Sequence, residues 1–444
     1  MMRLWVSMVV VFGFAPMALA QDVTLPEGLG NLTALKPPQE KQAGVPVDLS
    51  GFLETRMGAR LQNDPLQKDM SLGEARLQIG LEKQVDRLTF RVVSDFIYDP
   101  VQDIYDIDLE RGQGVIDLRE ANMVFSPLDF MDVKLGRQII TWGTGDLIFI
   151  NDLFAKDWNS FFIGRDTEYL KAPSDALKTA FFFGDTNLDV VYVPRFDADR
   201  FIDGTRISYF DRARGQLSGR DMPVRAARPD VWFSDDEIAL RLYRSFGAYE
   251  AALYYYDGYW KSPAGQDQVT GLATFPRLSV YGASLRGPVQ AGIGAVEFGY
   301  YKSADGAAHN PLVRNDELRL LVSYEQEVGD ELTGSLQYYL ERRLDYGAYL
   351  ATLPVGAIRD DRNRHLFTLR LTKLMMQQDL KLSLFNFYSP SDRDGYLRAQ
   401  VSYKIRDNLR LEAGGNIFYG AETHSFFGQF QDASNVYSAL HYDF

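Results

Sequence analysis

Apolar and polar side chains alternate along most of this chain with a period of two, the period of an extended strand. Between 395 and 407, Leu397, Ala399, Val401, Tyr403 and Ile405 alternate with Arg398, Gln400, Ser402, Lys404 and Arg406. Between 72 and 86, Ala75, Leu77, Ile79 and Leu81 alternate with Arg76, Gln78, Gly80 and Glu82. Counting such stretches from 47 onward predicts 18 strands, with 16 as the alternative count, the last being 435–444. Two segments, 113–127 and 277–287, alternate poorly and predict a bulge or a register irregularity. The links alternate as well. Tight turns such as Val85-Asp86-Arg87 and Val328-Gly329-Asp330 take turns with long links such as 144–175, 197–234, 261–276 and 421–434. A soluble β-sandwich has no reason to keep that rhythm, whereas a membrane barrel has short turns on one side and long loops on the other. The expected fold is therefore all-β: a transmembrane antiparallel up-and-down β-barrel. A charged group in hydrocarbon costs about 2–4 kcal/mol at the midplane, so the polar face of each strand must point inward. About 18 strands leave an interior too wide for side chains to fill.

The final strand, NVYSALHYDF, places Val436, Ser438, Leu440, Tyr442 and Phe444 on one face. An unpaired apolar edge ending on Phe is an aggregation hazard unless it pairs with the first strand and closes a barrel. Leu440, Tyr442 and the terminal Phe444 resemble the C-terminal assembly signal of bacterial outer-membrane barrels, which implies the barrel-assembly machinery as a partner. The N-terminus agrees: Arg3, an apolar run to about Met17, then Ala18-Leu19-Ala20 before Gln21. That pattern is a secretory signal, residues 1–20, cleaved after Ala20. Residues 21–46, with Pro26, Pro37, Pro38 and Pro46, read as a periplasmic lead-in to a barrel at 47–444.

Composition narrows the partners. The formal charge is −13, and more negative still without Arg3, so nucleic acid is a poor partner. There is no Cys, which removes disulfides, thiolate metal sites and Cys nucleophiles. Beyond the leader, no apolar run nears the roughly 18 residues of a membrane helix. Yet 29 Phe, 25 Tyr and 5 Trp suit the aromatic girdles of a barrel lying among outer-membrane lipid and lipopolysaccharide. In Tyr254-Tyr255-Tyr256, Tyr255 suits the outer girdle and its two neighbours the lumen.

The third external link is the most singular stretch. It carries Leu147, Ile148, Phe149, Ile150, Leu153, Phe154, Trp158, Phe161 and Phe162, a patch too apolar to stand in water. It is expected to fold into the lumen and narrow it; a lid over the barrel mouth and an external contact surface are the alternatives. Its carboxylates, Asp146, Asp152 and Asp157 foremost, with Asp166, Glu168 and Asp175, could oppose inward arginines of the early strands, Arg56, Arg60, Arg76, Arg91 and Arg137. Such an opposition would set up a transverse field acting on solutes. The link 197–234 alternates arginines with aspartates and could meet lipopolysaccharide phosphates or admit anionic solutes. His309, His365, His424 and His441 show no metal spacing, Gly282-Ala283-Ser284-Leu285-Arg286-Gly287 has the wrong spacing for a nucleophile elbow, and no cofactor motif is present. No catalytic role is expected.

The run Gly136-Arg137-Gln138 followed by Trp142-Gly143 resembles the GRQxxxWG signature of a porin-like outer-membrane family known as DUF1302, distantly similar to alginate-export porins. The resemblance implies a porin-like channel, sometimes associated with efflux or lipid-transport machinery. Structurally, Gly136 is expected to allow close backbone approach, and Trp142 to sit at the outer aromatic belt. The expected function is passive diffusion of small solutes through an outer-membrane channel narrowed at 144–175. The alternative is an outer-membrane component of an export or lipid and hydrophobic-compound transport system, with a periplasmic or inner-membrane partner.

Overall fold

The computed structural model describes residues 47–444; the expected signal and lead-in, 1–46, lie outside them. Eighteen strands form one closed antiparallel sheet. In chain order they are β1 (Asp48–Arg60), β2 (Met70–Val85), β3 (Leu88–Tyr98), β4 (Ile116–Leu128), β5 (Met131–Ile139), β6 (Pro173–Phe183), β7 (Thr186–Val193), β8 (Glu237–Phe246) and β9 (Tyr249–Tyr259). They continue as β10 (Arg277–Val289), β11 (Gly292–Ser303), β12 (Glu317–Gly329), β13 (Leu332–Arg343), β14 (Asn363–Met375), β15 (Leu380–Ser389), β16 (Asp394–Arg406), β17 (Leu409–Gly420) and β18 (Asn435–Asp443). Each pairs with its sequence neighbour, and β18 pairs with β1 from Phe52↔Asp443 to Arg60↔Asn435. The terminal residue completes the seam: Phe444 N–H donates to Gly51 O at 3.0 Å, and Gly51 N–H returns a bond to Phe444 O at 3.2 Å. No sheet edge remains unpaired, which is what a membrane-spanning sheet requires.

Sequence chemistry sets the ring's turns and faces. Asp86, Gly184, Gly247, Gln290 and Glu331 take positive φ in the short turns, the geometry that matches strand twist in tight hairpins. Nine longer connections emerge at the opposite end; loops 1 to 5 are residues 61–69, 99–115, 140–172, 194–236 and 260–276, and loop 9 is 421–434. Outward positions carry exposed Leu53, Met57, Leu253, Leu336, Val401, Leu440 and Tyr442. Tyr255, Tyr281 and Tyr300 stand in register on adjacent strands as an outer aromatic row, with centroids 5.3 and 6.4 Å apart. Tyr254 and Tyr256 face inward and are buried.

The two irregular segments differ. β4 has two bulges: Arg119 is an extra residue between the pairs Val93↔Glu120 and Ser94↔Leu118, and the β5 pairing slips between Phe125 and Leu128. β10 is regular, contrary to the sequence expectation. Its alternation fails because the inward residues Leu278 and Val280 are apolar, and both belong to a buried core inside the ring.

Leu336→Arg would place a charge on the outer face of β13. In lipid vesicles it should lower unfolding stability by about 2–4 kcal/mol, with Leu336→Phe near wild type. Equal urea titrations for all three proteins would mean that this face does not meet hydrocarbon.

Candidate constriction site

Loop 3 leaves the wall within the GRQxxxWG run, after Ile139. Gly136 has φ 116°, and a Cβ there would collide with Ala121 O across the pair, so only glycine lets β5 lie this close to β4. Gln138 donates to Ala176 O at 2.9 Å. Gly143, φ 90°, turns the chain beside the Glu297 carboxylate. Trp142 does not lie in the outer belt. It is buried, edge-on to Phe154 at 4.9 Å and near inward Tyr254, because the chain has already left the sheet at Ile139.

The first half of the loop is seated on β10, β11, β12 and β14. Glu297, inward on β11 and almost fully buried, accepts four bonds: Thr144 N–H and Oγ1 at 2.8 and 2.9 Å, and Asn151 N–H and Nδ2 at 2.8 and 3.0 Å. Tyr301 OH bonds to Ile150 O. Gly282 and Gly299 are a registered pair facing inward. A Cβ at Gly282 would overlap the Asn151 side chain, and one at Gly299 would stand 2.6 Å from Ile150 Cγ2. The two glycines form a socket for these residues. Asp146 pairs with Arg370 of β14 at 2.9 Å; burial pushes its carboxyl above the ordinary range.

The second half meets the opposite wall. Asp157 caps helix α1 (Trp158–Ile163), accepting from Ser160 N–H at 2.8 Å, and Gly164 ends it in the left-handed region. Phe162 packs on Tyr396, Phe418 and Phe430 with centroids 5.1–5.5 Å away. Arg56 joins Glu54 and Glu412 at 3.0 and 2.7 Å and donates to Gly164 O at 2.6 Å. Arg398 donates to Arg165 O at 2.7 Å, and Asn435 to Phe162 O at 3.3 Å. Arg165 pairs with Glu74 at 2.6 Å. Arg76, held by Glu74 and Asp95, lies 4.0 Å over the Tyr169 ring. Arg119, supplied by the β4 bulge, donates to Lys171 O at 2.7 Å and lies over the same ring.

The expected opposition of loop carboxylates to strand arginines takes a different form. Arg56 and Arg76 are 1% exposed and already paired with wall carboxylates. Asp152 pairs with Lys156 and Thr141, and Asp157 turns to its own helix and to Arg200. Arg60 donates to the carbonyls of Lys68 and Arg206. Arg91 pairs with Glu82 and Glu120 near the turn end of β3. Arg137 shares its strand face with exposed Leu135 and pairs with Asp175 at 2.9 Å; Asp175 lies in β6, not the loop, because the strand begins at Pro173. Of the named acids, Asp146 meets a wall arginine, but it is Arg370 of β14 and not one of the early strands. Sequence reasoning missed Glu297, Arg370, Arg398, Glu412 and the glycine socket. The signal for them was present as charged and glycine positions on inward faces of β10 to β17.

Every strand carries an inward side chain no more than 9% exposed: Arg56, Arg76, Asp95, Asp117, Gln138 and Ala176 on β1 to β6, Val191, Ala239, Tyr254, Val280 and Glu297 on β7 to β11, and Leu321, Gln337, Thr368, Phe385, Tyr396, Glu412 and Tyr437 on β12 to β18. A wide open lumen would wet these groups. Loop 4 adds to the cover: Arg200 N–H donates to Lys156 O at 2.8 Å, Trp158 N–H to Arg200 O at 3.2 Å, and Lys156 N–H to the Asp199 carboxylate at 2.8 Å. Asp197, also of loop 4, is pushed up to about 8 by burial and by the charge of Glu110.

No protein-family model and no curated protein matches the chain. Among solved structures it is similar to OccAB4 of Acinetobacter baumannii, at 10% identity and TM-score 0.55 over 90% of this chain and 98% of that one. It is also similar to OccK11 (OpdR) of Pseudomonas aeruginosa, at 10% identity and TM-score 0.53 over 89% and 95%. The architecture is a closed antiparallel β-barrel of 18 strands, the fold class of outer-membrane porins.

Gly282→Leu should unseat Asn151 and speed tryptic cleavage at Lys156 and Arg165, whereas Gly347→Ala, where a Cβ meets open space, should not. Unchanged cleavage would remove the socket from the account. Asp197 makes a second prediction. Its folded pKa lies above its ordinary 3.8, so the folded state holds a proton the unfolded state releases, and its contribution to stability is lost as pH rises toward about 8. Melting temperature should fall between pH 5 and about 8, and Asp197→Asn should flatten that fall; identical pH profiles would exclude Asp197 as the cause.

Proposed function

We propose that the chain is a porin-like outer-membrane channel for small solutes, with loop 3 folded into the lumen as its constriction. The observation that carries the reading is the pattern of contacts just described: one loop bonded to inward side chains on both halves of a closed ring. Ion selectivity then rests on residues the loop leaves uncovered and on loop movement, since Arg56 and Arg76 are neutralised where they stand. On this reading the protein is exported by residues 1–20 with cleavage after Ala20, assembled through Leu440, Tyr442 and Phe444 by the barrel-assembly machinery, and held among outer-membrane lipid and lipopolysaccharide. It uses no cofactor and performs no catalysis. The DUF1302 resemblance is part of the same proposal: each residue of Gly136-Arg137-Gln138 and Trp142-Gly143 serves the departure of loop 3 from the wall.

A second reading is favoured by the dry inner wall and the apolar core under loop 3: a normally closed outer-membrane component for export of lipidic or hydrophobic cargo, working with a periplasmic or inner-membrane partner. Single-channel recording of refolded protein with and without 146–163 separates the two. Stable steps in the full chain that enlarge on deletion are expected for the channel. Silence until the loop is removed would overturn passive diffusion and leave the export reading.

A further inference from the structure

Outside the constriction, loops 2, 3 and 4 enclose a cavity of about 40 Å³ whose lining includes Arg111, Arg200, Arg228, Asn159, Asp199 and Asp203. That is room for roughly three waters or one compact polar group. The donors and acceptors around it do not balance. Asp203 Oδ1 accepts from Thr205 N–H and Oγ1 at 3.0 and 2.6 Å. Asp199 is satisfied by Lys156 N–H, Trp158 Nε1 and Ser262 Oγ at 2.8, 3.1 and 2.6 Å. The arginines are not. Arg200 is 6% exposed; its terminal nitrogens hold Asp117 at 2.7 and 2.8 Å, yet its buried Nε has no partner. Arg228 has no ion-pair partner among the described residues, and burial together with the charge of Arg111 holds it below the ordinary arginine range. Arg111 reaches only the exposed Asp108, at 3.6 Å. Of the acids that face Arg228, Glu110 is taken by Arg195 at 2.5 Å, Asp108 lies beside Arg111, and Asp197 is buried, so the recess wants an acceptor carrying negative charge.

We propose that this recess is a binding site for a single oxyanion group, a carboxylate or phosphate, with Arg228 and Arg111 supplying charge and Arg200 Nε a buried donor. The group could arrive on a free solute or on the phosphate of a lipid headgroup; the recognition chemistry is the same. Its position at the loop end of the barrel, over the junction of loops 3 and 4, puts it before the constriction for anything entering from that side.

The test uses the full barrel in detergent and reads binding, not conduction, so it stands apart from the channel reading. Inorganic phosphate is titrated calorimetrically into wild type, the double variant Arg111→Gln/Arg228→Gln, and Arg228→Lys; vesicles with and without lipid A form a second arm. Saturable phosphate binding, weakened roughly tenfold or more in the double variant and partly restored by Arg228→Lys, supports a site for free oxyanions. Binding by lipid A vesicles alone, lost in the same variant, supports the site with a lipid as its source. Absence of binding in both arms, or binding unchanged by the double variant while melting temperatures match, overturns the proposal, as does calcium binding in place of phosphate.

Discussion

An 18-stranded ring encloses more volume than its own side chains can fill, and what occupies that volume determines everything else about this barrel. The inward faces carry carboxylates and guanidinium groups that water would solvate in an open pore. Here they are dry, so each must find a partner or stand as an uncompensated buried charge, which is costly. The pairs Arg56 with Glu54 and Glu412, Arg76 with Glu74 and Asp95, and Arg370 with Glu325 and Asp146 follow from that demand. Loop 3 is the covering layer and a supplier of partners at once: Arg165 serves Glu74, and the carbonyls of Phe161, Gly164 and Arg165 serve Arg398 and Arg56.

The two halves of loop 3 are held by different physics. The departing half is fixed mainly by shape and by uncharged donors, the Gly282 and Gly299 socket and four donors converging on Glu297, with one ion pair, Asp146–Arg370, beside them. The returning half is fixed by guanidinium groups and by aromatic packing of Phe162. Salt screens exposed charge pairs far more than buried contacts, so added salt does little to either half. Displacing the loop means exposing Glu297, Glu74 and Arg56 to water together with an apolar cluster, a coupled change.

The ring itself was legible in the sequence because lipid enforces one rule on every strand: the outward face is apolar and the turn chemistry is tight. Leu397 to Ile405, Leu440, Tyr442 and Phe444 obey it, and the strands follow. The inner wall was less legible because no single rule governs it. Leu278 and Val280 broke the alternation of β10 and read as irregular register, when the strand is regular and its inner face is apolar for loop 3. Trp142 read as a girdle residue because aromatic residues near a strand end usually are; Gly143 turns it inward one residue later. Arg137 keeps the period of two and lies on the face of Leu135, so it meets its cross-strand neighbour Asp175 and not the lumen.

Loop and wall are joined by charge, but not by the expected opposition of loop carboxylates to arginines of the early strands. A loop of many carboxylates facing strand arginines is simple to read from composition, yet local geometry takes those carboxylates first. Asp157 is consumed as a helix cap, Asp152 by Lys156 four residues on, and Asp175 by its cross-strand neighbour Arg137. Short-range partners come at little entropic cost, since the chain already holds them near one another. The wall arginines pair mostly with wall carboxylates, and Arg56 and Arg398 reach the loop through its backbone carbonyls, which no count of charged residues can foresee. On the proposed channel reading, an inner wall arranged this way leaves few free charges beside loop 3, and any electrostatic sorting of solutes would fall to the outer loops, where Arg111 and Arg228 stand without committed partners of comparable strength.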